Sequence, residues 1–274
     1  MIEIVERAEV ERILVDTTSR VPESPVAART APSPLARFRA EVSRFVNGTE
    51  HDARRARLEV LLDGLDPGAL ATAAAAHVRA GTRTGDIPVA VLADALGFAR
   101  PDALPPLVEV VAAAYPSGVA TDPETTDAAV IAMLEASGAA DPGEQVLRAQ
   151  LLVQAHTATT TLVERALTLA RSLDGAVPTR TLLESVLRDD SPVPVTRRLV
   201  PGRRDGGETL VRLHLDGPDR EATAERPARV LAFGAGPRAC PAPHHALAIA
   251  VAIVETACGD ARRHERDSLH ADHR

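Results

Sequence analysis

Aromatic residues are rare in this sequence, and lysine is absent. Only 2% of its 274 residues are aromatic, with no tryptophan, one tyrosine (Tyr115) and four phenylalanines. Stacking platforms for bases or sugars are therefore not expected. All 31 basic residues are arginine, and because 38 acidic residues outnumber them the net charge is −7. A nucleic-acid-binding protein needs a clustered basic surface, so this class of function is excluded.

Cysteine is scarce as well, and long apolar runs are absent. The two cysteines, Cys240 and Cys258, cannot form a disulfide framework. No charged-then-apolar leader opens the chain, which predicts a cytoplasmic location. The longest apolar run, 246–254, is shorter than the roughly 20 residues that cross a bilayer, so no membrane partner is expected. With 45% hydrophobic residues, the chain can bury one sizeable core.

Helical periodicity dominates the sequence. Apolar residues recur at three- and four-residue spacing over 52–62, 67–79, 88–96, 144–173 and 241–258. Strand patterns occur only at 2–5 and 209–215, and loops are predicted at 17–34, 115–124 and 200–207. The fold class predicted is mainly α, a single helical domain over 1–259 with a small β-sheet. A charged, disordered tail is predicted at 260–274.

One segment carries a specific chemical pattern. Residues 233–242 read FGAGPRACPA, with two glycines, an arginine and a cysteine before a predicted helix. A cysteine at a helix N-terminus has its thiolate stabilised by backbone N–H groups and the helix dipole, and the thiolate is the form that binds a metal. A buried, inert cysteine after a glycine turn is the alternative.

This segment resembles the haem-binding loop of cytochromes P450, in which Phe-Gly-x-Gly-x-Arg-x-Cys precedes a helix. The five defining positions are Phe233, Gly234, Gly236, Arg238 and Cys240. The resemblance implies haem b as the cofactor, with Cys240 as the axial iron ligand. It also implies that Phe233, Gly234 and Arg238 contact the haem.

Other segments resemble the same family and follow its order. They are 5–16 (early strand and B helix), 50–55 (C helix), 86–97 (D-to-E region), 151–167 (I helix) and 182–198 (K helix and following strand). The resemblance implies that His51, Arg55 and Arg198 join Arg238 in holding the haem propionates. His51 and Arg55 share one helical face, and a solvent-facing charged surface is their alternative reading. The P450-like domain is shorter than usual, with trimmed N-terminal, B–C and F–G regions, which implies a small or open substrate pocket.

The I-helix segment lacks the acid that the family places beside a threonine. One alignment puts Thr157 at the acid position and Ala158 at the threonine, whereas a shift of one residue puts Thr159 at the threonine. Neither alignment supplies an acid. Thr157 and Thr159 are the candidate catalytic residues for carrying protons through water, and a polar helix stripe is the alternative.

The K-helix segment lacks the family's Glu-x-x-Arg pair. Ser185 stands three residues before Arg188, and Glu184 is one residue too early. Because residues i and i+4 share a helix face, we predict that Glu184 pairs with Arg188.

The resemblance implies a haem-thiolate oxidoreductase, a monooxygenase acting on a small apolar molecule. Its electrons would come from a ferredoxin-type partner, or its chemistry would be peroxide-driven or non-oxygenating. The alternative is a catalytically degenerate homologue that acts as a partner or activator of another enzyme. Ser185 and the missing acid favour this alternative, and Cys240 and Arg238 count against it.

Overall fold

Helices occupy most of the chain. The computed structural model describes residues 1–24, 32–173, 177–202 and 207–271, with side chains as far as 259. The α-helices of this part are α1 (Arg7–Val15), α2 (Pro34–Glu41), α3 (Gly48–Asp63), α4 (Pro67–Arg79), α5 (Ile87–Ala95), α6 (Pro105–Ala114), α7 (Pro123–Ala136), α8 (Pro142–Ser172), α9 (Thr179–Asp189) and α10 (Pro243–Ala271). The strands are β1 (Ile2–Ile4), β2 (Val195–Pro201) and β3 (Glu208–His214).

Asp-Pro pairs set the start of three helices, α4, α7 and α8. The carboxylates of Asp66, Asp122 and Asp141 accept backbone N–H groups of the first turn, and a proline follows each of them. The carboxylate satisfies donors that the helix leaves unpaired, and proline at the first helical position loses no hydrogen bond.

The three strands form one sheet in the order β1-β3-β2. β1 runs parallel to β3 and β2 runs antiparallel to it. Val211, Leu213 and Leu215 alternate with partly exposed residues and are buried with side chains of α1 in a small second core. The two predicted strands are confirmed to within one residue at each end.

The main core surrounds α8, the 31-residue helix that packs against α5, α6, α7, α9 and α10. The sequence predicts α4 with its observed bounds, and predicts α3, α5, α8 and α10 with shifted ends. It does not predict α2, α6 or α7, which lie among segments rich in proline. No helix of the described chain combines the length and apolarity that crossing a membrane requires.

The last helix extends into the carboxyl end of the chain. α10 continues to Ala271, within the segment 260–274 for which the sequence predicts a disordered tail. After Gly259 this stretch contains neither glycine nor proline, so propensity alone does not stop the helix. Parts of the loops predicted at 17–34 and 200–207 lie outside the described residues.

Candidate functional site

A cavity of about 570 Å³ lies between α8, α10, α3, β2 and the loop that precedes α10. This volume is within the range of about 300–1,000 Å³ that is usual for ligand and cofactor sites. The predicted site residues on its wall are His51, Arg55, Thr159, Arg198, Phe233, Gly234, Arg238 and Cys240. The structure therefore brings together every predicted site residue except Thr157.

The loop 233–240 packs tightly against α1. Gly234 and Gly236 have φ of +69° and +66°, which favours glycine. A Cβ on Gly236 would lie 2.6 Å from the Cα of Val15 and 2.8 Å from the carbonyl oxygen of Leu14. The Cys240 N–H donates to the Phe233 carbonyl over 2.7 Å and closes the loop. Both glycines are thus required by the backbone path that carries Cys240 to the cavity.

The Cys240 thiol is half-buried, and the backbone N–H of Ala242 donates to it. Burial raises the pKa of Cys240, while the Ala242 N–H and the nearby Arg55 charge lower it to a smaller extent. Burial therefore opposes the stabilisation of the thiolate by N-terminal N–H groups that the sequence predicts. A coordinated metal ion displaces the proton from a thiol, so this balance is compatible with a ligand role.

Arg198 is the most deeply buried charge on the wall, with 6% exposure. Its guanidinium donates to the Thr196 hydroxyl over 3.1 Å and to the Arg197 carbonyl over 2.8 Å. The pKa of Arg198 is lowered to about 10. Burial is the largest cause, and the positive charges of Arg238 and Arg44 contribute to a smaller extent. Neutral acceptors leave its charge uncompensated.

Arg238 lies next to Arg198 and is also partly desolvated. It donates to the Val46 carbonyl over 2.6 Å and to the Asn47 side-chain oxygen over 2.9 Å, and burial lowers its pKa. Among the described residues no carboxylate forms an ion pair with Arg198 or Arg238. Burying a charge without a partner costs several kcal/mol as an order of magnitude, so this part of the wall is suited to an anion.

His51 and Arg55 extend from α3 towards the same cavity. His51 is 7% exposed, its Nδ1 lies 3.0 Å from Asp52, and burial lowers its pKa. Arg55 donates to Glu59 over 2.6 Å and to the Ala239 carbonyl over 2.7 Å. The solvent-facing alternative is wrong for this pair, because both side chains line the cavity.

The α8 wall distinguishes the two alignments of the I-helix segment. Thr159 is 3% exposed and lines the cavity together with Ala158. Thr157 is exposed and lies off the wall, because it is two residues away on a helix that turns 100° per residue. The shifted alignment, with Thr159 at the threonine and Ala158 at the acid position, therefore matches the cavity wall, and the candidate Thr157 lies outside the cavity.

The predicted Glu184–Arg188 pair is wrong. Arg188 instead donates to both oxygens of Asp189, over 2.9 and 2.7 Å, and its side chain is 43% exposed. Glu184 is exposed and contributes only a weaker electrostatic effect. A guanidinium in contact with water does not require a buried acid, so Arg188 does not need Glu184 as a partner.

Arg7 is a buried structural residue that sequence reasoning missed. It is 1% exposed and donates to the carbonyls of Leu215, Gly217 and Arg188, which joins the end of α9 to the segment after β3. Its position in the first turn of α1 gives no local signal, because its partners lie 181 to 210 residues away.

Comparison with known proteins identifies the fold. No protein-family model and no curated protein matches the chain. Among solved structures, P450BioI in complex with an acyl carrier protein ligated to hexadec-9Z-enoic acid matches with a TM-score of 0.70 and 15% identity, over 93% of this chain and 83% of that chain. The thermophilic cytochrome P450 from Sulfolobus tokodaii gives 0.69 and 15%, over 93% and 85%. The open cytochrome P450 EryK from S. erythraea gives 0.63 and 17%, over 93% and 81%.

These matches define a class of fold. The chain has a P450-like fold, mainly helical with a small sheet, and the resemblance noted in the sequence is confirmed at this level.

Proposed function

We propose that this protein is a haem-thiolate protein of the cytochrome P450 type, in which Cys240 ligates the iron of haem b. One observation carries the proposal: a single cavity holds a cysteine thiol that accepts a backbone N–H together with two guanidiniums, those of Arg198 and Arg238, that form no ion pair with a carboxylate among the described residues. Haem presents complementary groups, an iron at its centre and two propionates at its edge. The residues present therefore fit this cofactor.

Each side chain then has a specific role. Cys240 binds the iron, and Arg198, Arg238, His51 and Arg55 hold the propionates. Phe233 and Gly234 would contact the haem. When bound, haem with a thiolate ligand supplies oxidation chemistry, since the thiolate pushes electron density onto iron and favours O–O cleavage.

The α8 wall limits which oxidation the site supports. Thr159 supplies a hydroxyl, and Ala158 supplies no proton. Peroxide-driven or non-oxygenating chemistry therefore suits the cavity better than O₂ activation with a ferredoxin-type electron donor. The apolar part of the wall, with Leu162, Leu187 and Ile249, accommodates the body of a small apolar substrate. We place this activity in the cytoplasm, without a membrane or nucleic-acid partner.

The test is the absorption spectrum of purified protein, reduced and saturated with CO, after expression with supplied haem. Wild-type protein is expected to show the red-shifted Soret band of thiolate-bound haem, and Cys240→Ala is expected to abolish it. Cys258→Ala is the matched control, because Cys258 is a half-buried thiol of α10 and is not a residue of the cavity wall. If wild-type protein takes up no haem, or if Cys240→Ala retains the band, the proposal is wrong.

A second function is favoured by Ala158 and by the Arg188–Asp189 pair, which stand where the family has its acid and its buried ion pair. In this alternative the protein is a catalytically degenerate homologue that acts as a partner or activator of another enzyme. Stable folding without haem uptake would support it over the first function.

A further inference from the structure

A row of four guanidiniums runs along one side of the cavity. Arg238 and Arg44 both lower the pKa of Arg198, and Arg44 in turn lowers that of Arg39, so each charge is close enough to affect the next. All four side chains line the cavity. In the part of the chain that the structure describes, none of them forms an ion pair with a carboxylate.

Arg39 is fixed in place although it lacks a counter-charge. It donates to the Tyr115 carbonyl over 2.8 Å, to the Ser24 hydroxyl over 3.1 Å and to the Pro116 carbonyl over 3.5 Å. Its guanidinium carbon lies 4.4 Å from the centre of the Phe45 ring. Burial is the largest cause of its lowered pKa, so part of its charge is already desolvated.

Arg44 lies over the same ring as Arg39. Its guanidinium carbon lies 5.8 Å from the Phe45 ring centre, and the residue is exposed. Arg39 and Arg44 therefore form a second cationic group, which we call the Phe45 cluster, beyond Arg198 and Arg238. Among the described residues of the wall, Glu23 is the one carboxylate, and it accepts hydrogen bonds from Asn47 and Arg20. Asp52 and, to a smaller extent, Glu23 act electrostatically on Arg238 without forming an ion pair with it.

The charges do not balance with haem alone. Two propionates match Arg198 and Arg238, assisted by His51 and Arg55, and they leave the two positive charges of the Phe45 cluster facing the cavity. We propose that the Phe45 cluster binds the carboxylate of an amphiphilic substrate, whose apolar part occupies the remaining cavity. This inference rests on the proposed function and deepens it, because the substrate is then an organic acid and not a wholly apolar molecule.

The geometry supports a carboxylate more than a neutral group. A guanidinium binds a carboxylate through paired N–H donors, and its five N–H groups exceed the three acceptors that Arg39 already has. Charge-assisted hydrogen bonds are about twice as strong as neutral ones. Phe45 and Leu151 lie on the same wall and provide apolar contact for a short alkyl chain.

The experiment is isothermal titration calorimetry of the haem-loaded full chain with octanoate and, as a neutral probe of similar length, octan-1-ol. Octanoate is expected to bind at least about tenfold more tightly, which corresponds to about 1.4 kcal/mol. Arg39→Gln and Arg44→Gln are each expected to reduce this preference, whereas Arg39→Lys retains much of it. Arg37→Gln is the matched control, because Arg37 is an exposed residue of α2 that is not on the wall.

The outcomes separate this inference from the proposed function. If the purified protein shows no haem spectrum, both the proposed function and this inference are overturned. Protein with a normal haem spectrum and equal affinity for the two probes overturns this inference alone. So does an octanoate preference that survives both glutamine variants, because another residue then binds the carboxylate. Arg44→Gln still tests the inference if Arg39→Gln misfolds, because the exposed Arg44 does not make the backbone contacts of Arg39.

Discussion

The cysteine side of the cavity and the side formed by α8 and α9 differ in how fully they match the P450 pattern. On the cysteine side, the loop 233–240, the pair His51 and Arg55, and Arg198 all reach the cavity. On the other side, Ala158 replaces an acid and Arg188 bonds an exposed aspartate. Under the proposed function, the groups that would hold a haem are present, while the groups that would deliver protons or tie α9 to the core are altered.

The largest expected effect tests how α9 is held. Arg7→Met leaves the buried carbonyl of Leu215 and the part-buried carbonyls of Gly217 and Arg188 without this donor. Because an unsatisfied buried group costs about 1–3 kcal/mol, the free energy of unfolding is expected to fall by about 3 kcal/mol. Arg188→Gln removes only an exposed ion pair, worth about 0–1 kcal/mol. Urea denaturation of both variants measures the difference. Equal losses would contradict the larger contribution assigned here to Arg7.

Gly236 tests the cysteine side. Gly236→Ala introduces a side chain at positive φ, at a cost of about 1–2 kcal/mol, and places it against the backbone of Val15, where overpacking typically costs about 1–3 kcal/mol more. Gly48→Ala is the matched control, since Gly48 has φ of +60° and no neighbour within 4 Å of the added Cβ. Thermal unfolding and haem content are the measurements. If the two variants behave alike, the loop does not depend on its close approach to α1.

These two regions also show what the sequence could predict. The loop 233–240 was predictable because a backbone that turns twice at positive φ and touches α1 requires glycine at fixed spacing. Arg7 was not, because its acceptors are backbone carbonyls far along the chain and leave no trace in their side chains. Thr157 was proposed beside Thr159 for another reason. Thr157 and Thr159 are chemically alike, so only burial in the folded helix separates them.

The Glu184 prediction failed for a similar reason. Helical spacing correctly indicates that Glu184 and Arg188 share a face, but it carries no information on whether that face is buried. Because Arg188 reaches solvent, the neighbouring Asp189 is sufficient to pair with it. Local spacing therefore predicts which contacts are possible, and tertiary packing decides which of them form.

Ala158 allows the α8 side to be changed towards the family pattern. Ala158→Asp adds a proton donor beside Thr159, and general-acid help is worth about 10²–10⁴-fold in rate. We expect the peroxide-driven oxidation of a chromogenic phenol, per haem, to rise towards the lower end of that range, about 10²-fold. Thr157→Asp is the control, because an exposed acid outside the cavity leaves the rate unchanged. An equal rise in both variants would contradict a local role for position 158.

The smallest effect concerns Tyr115, which lies where α6 packs on α8. Its hydroxyl accepts a hydrogen bond from Gln154 over 2.9 Å, and its ring packs near Phe38 and Phe45. Burial raises the pKa of Tyr115 to about 12, compared with about 10 for a tyrosine in an unfolded chain. The folded state thus holds this proton more tightly, so its contribution to stability is complete below pH 10 and is lost as the pH rises through 12.

Because Tyr115 is the only tyrosine and tryptophan is absent, tyrosinate absorbance reports on this residue alone. The native protein is expected to ionise with a midpoint near pH 12, and the urea-unfolded protein near pH 10. Tyr115→Phe is expected to remove the tyrosinate signal and to flatten the decline in unfolding free energy that begins above pH 10. A native midpoint near pH 10 would show that solvent reaches the ring. The packing of α6 on α8 would then be looser than that of the loop 233–240 on α1.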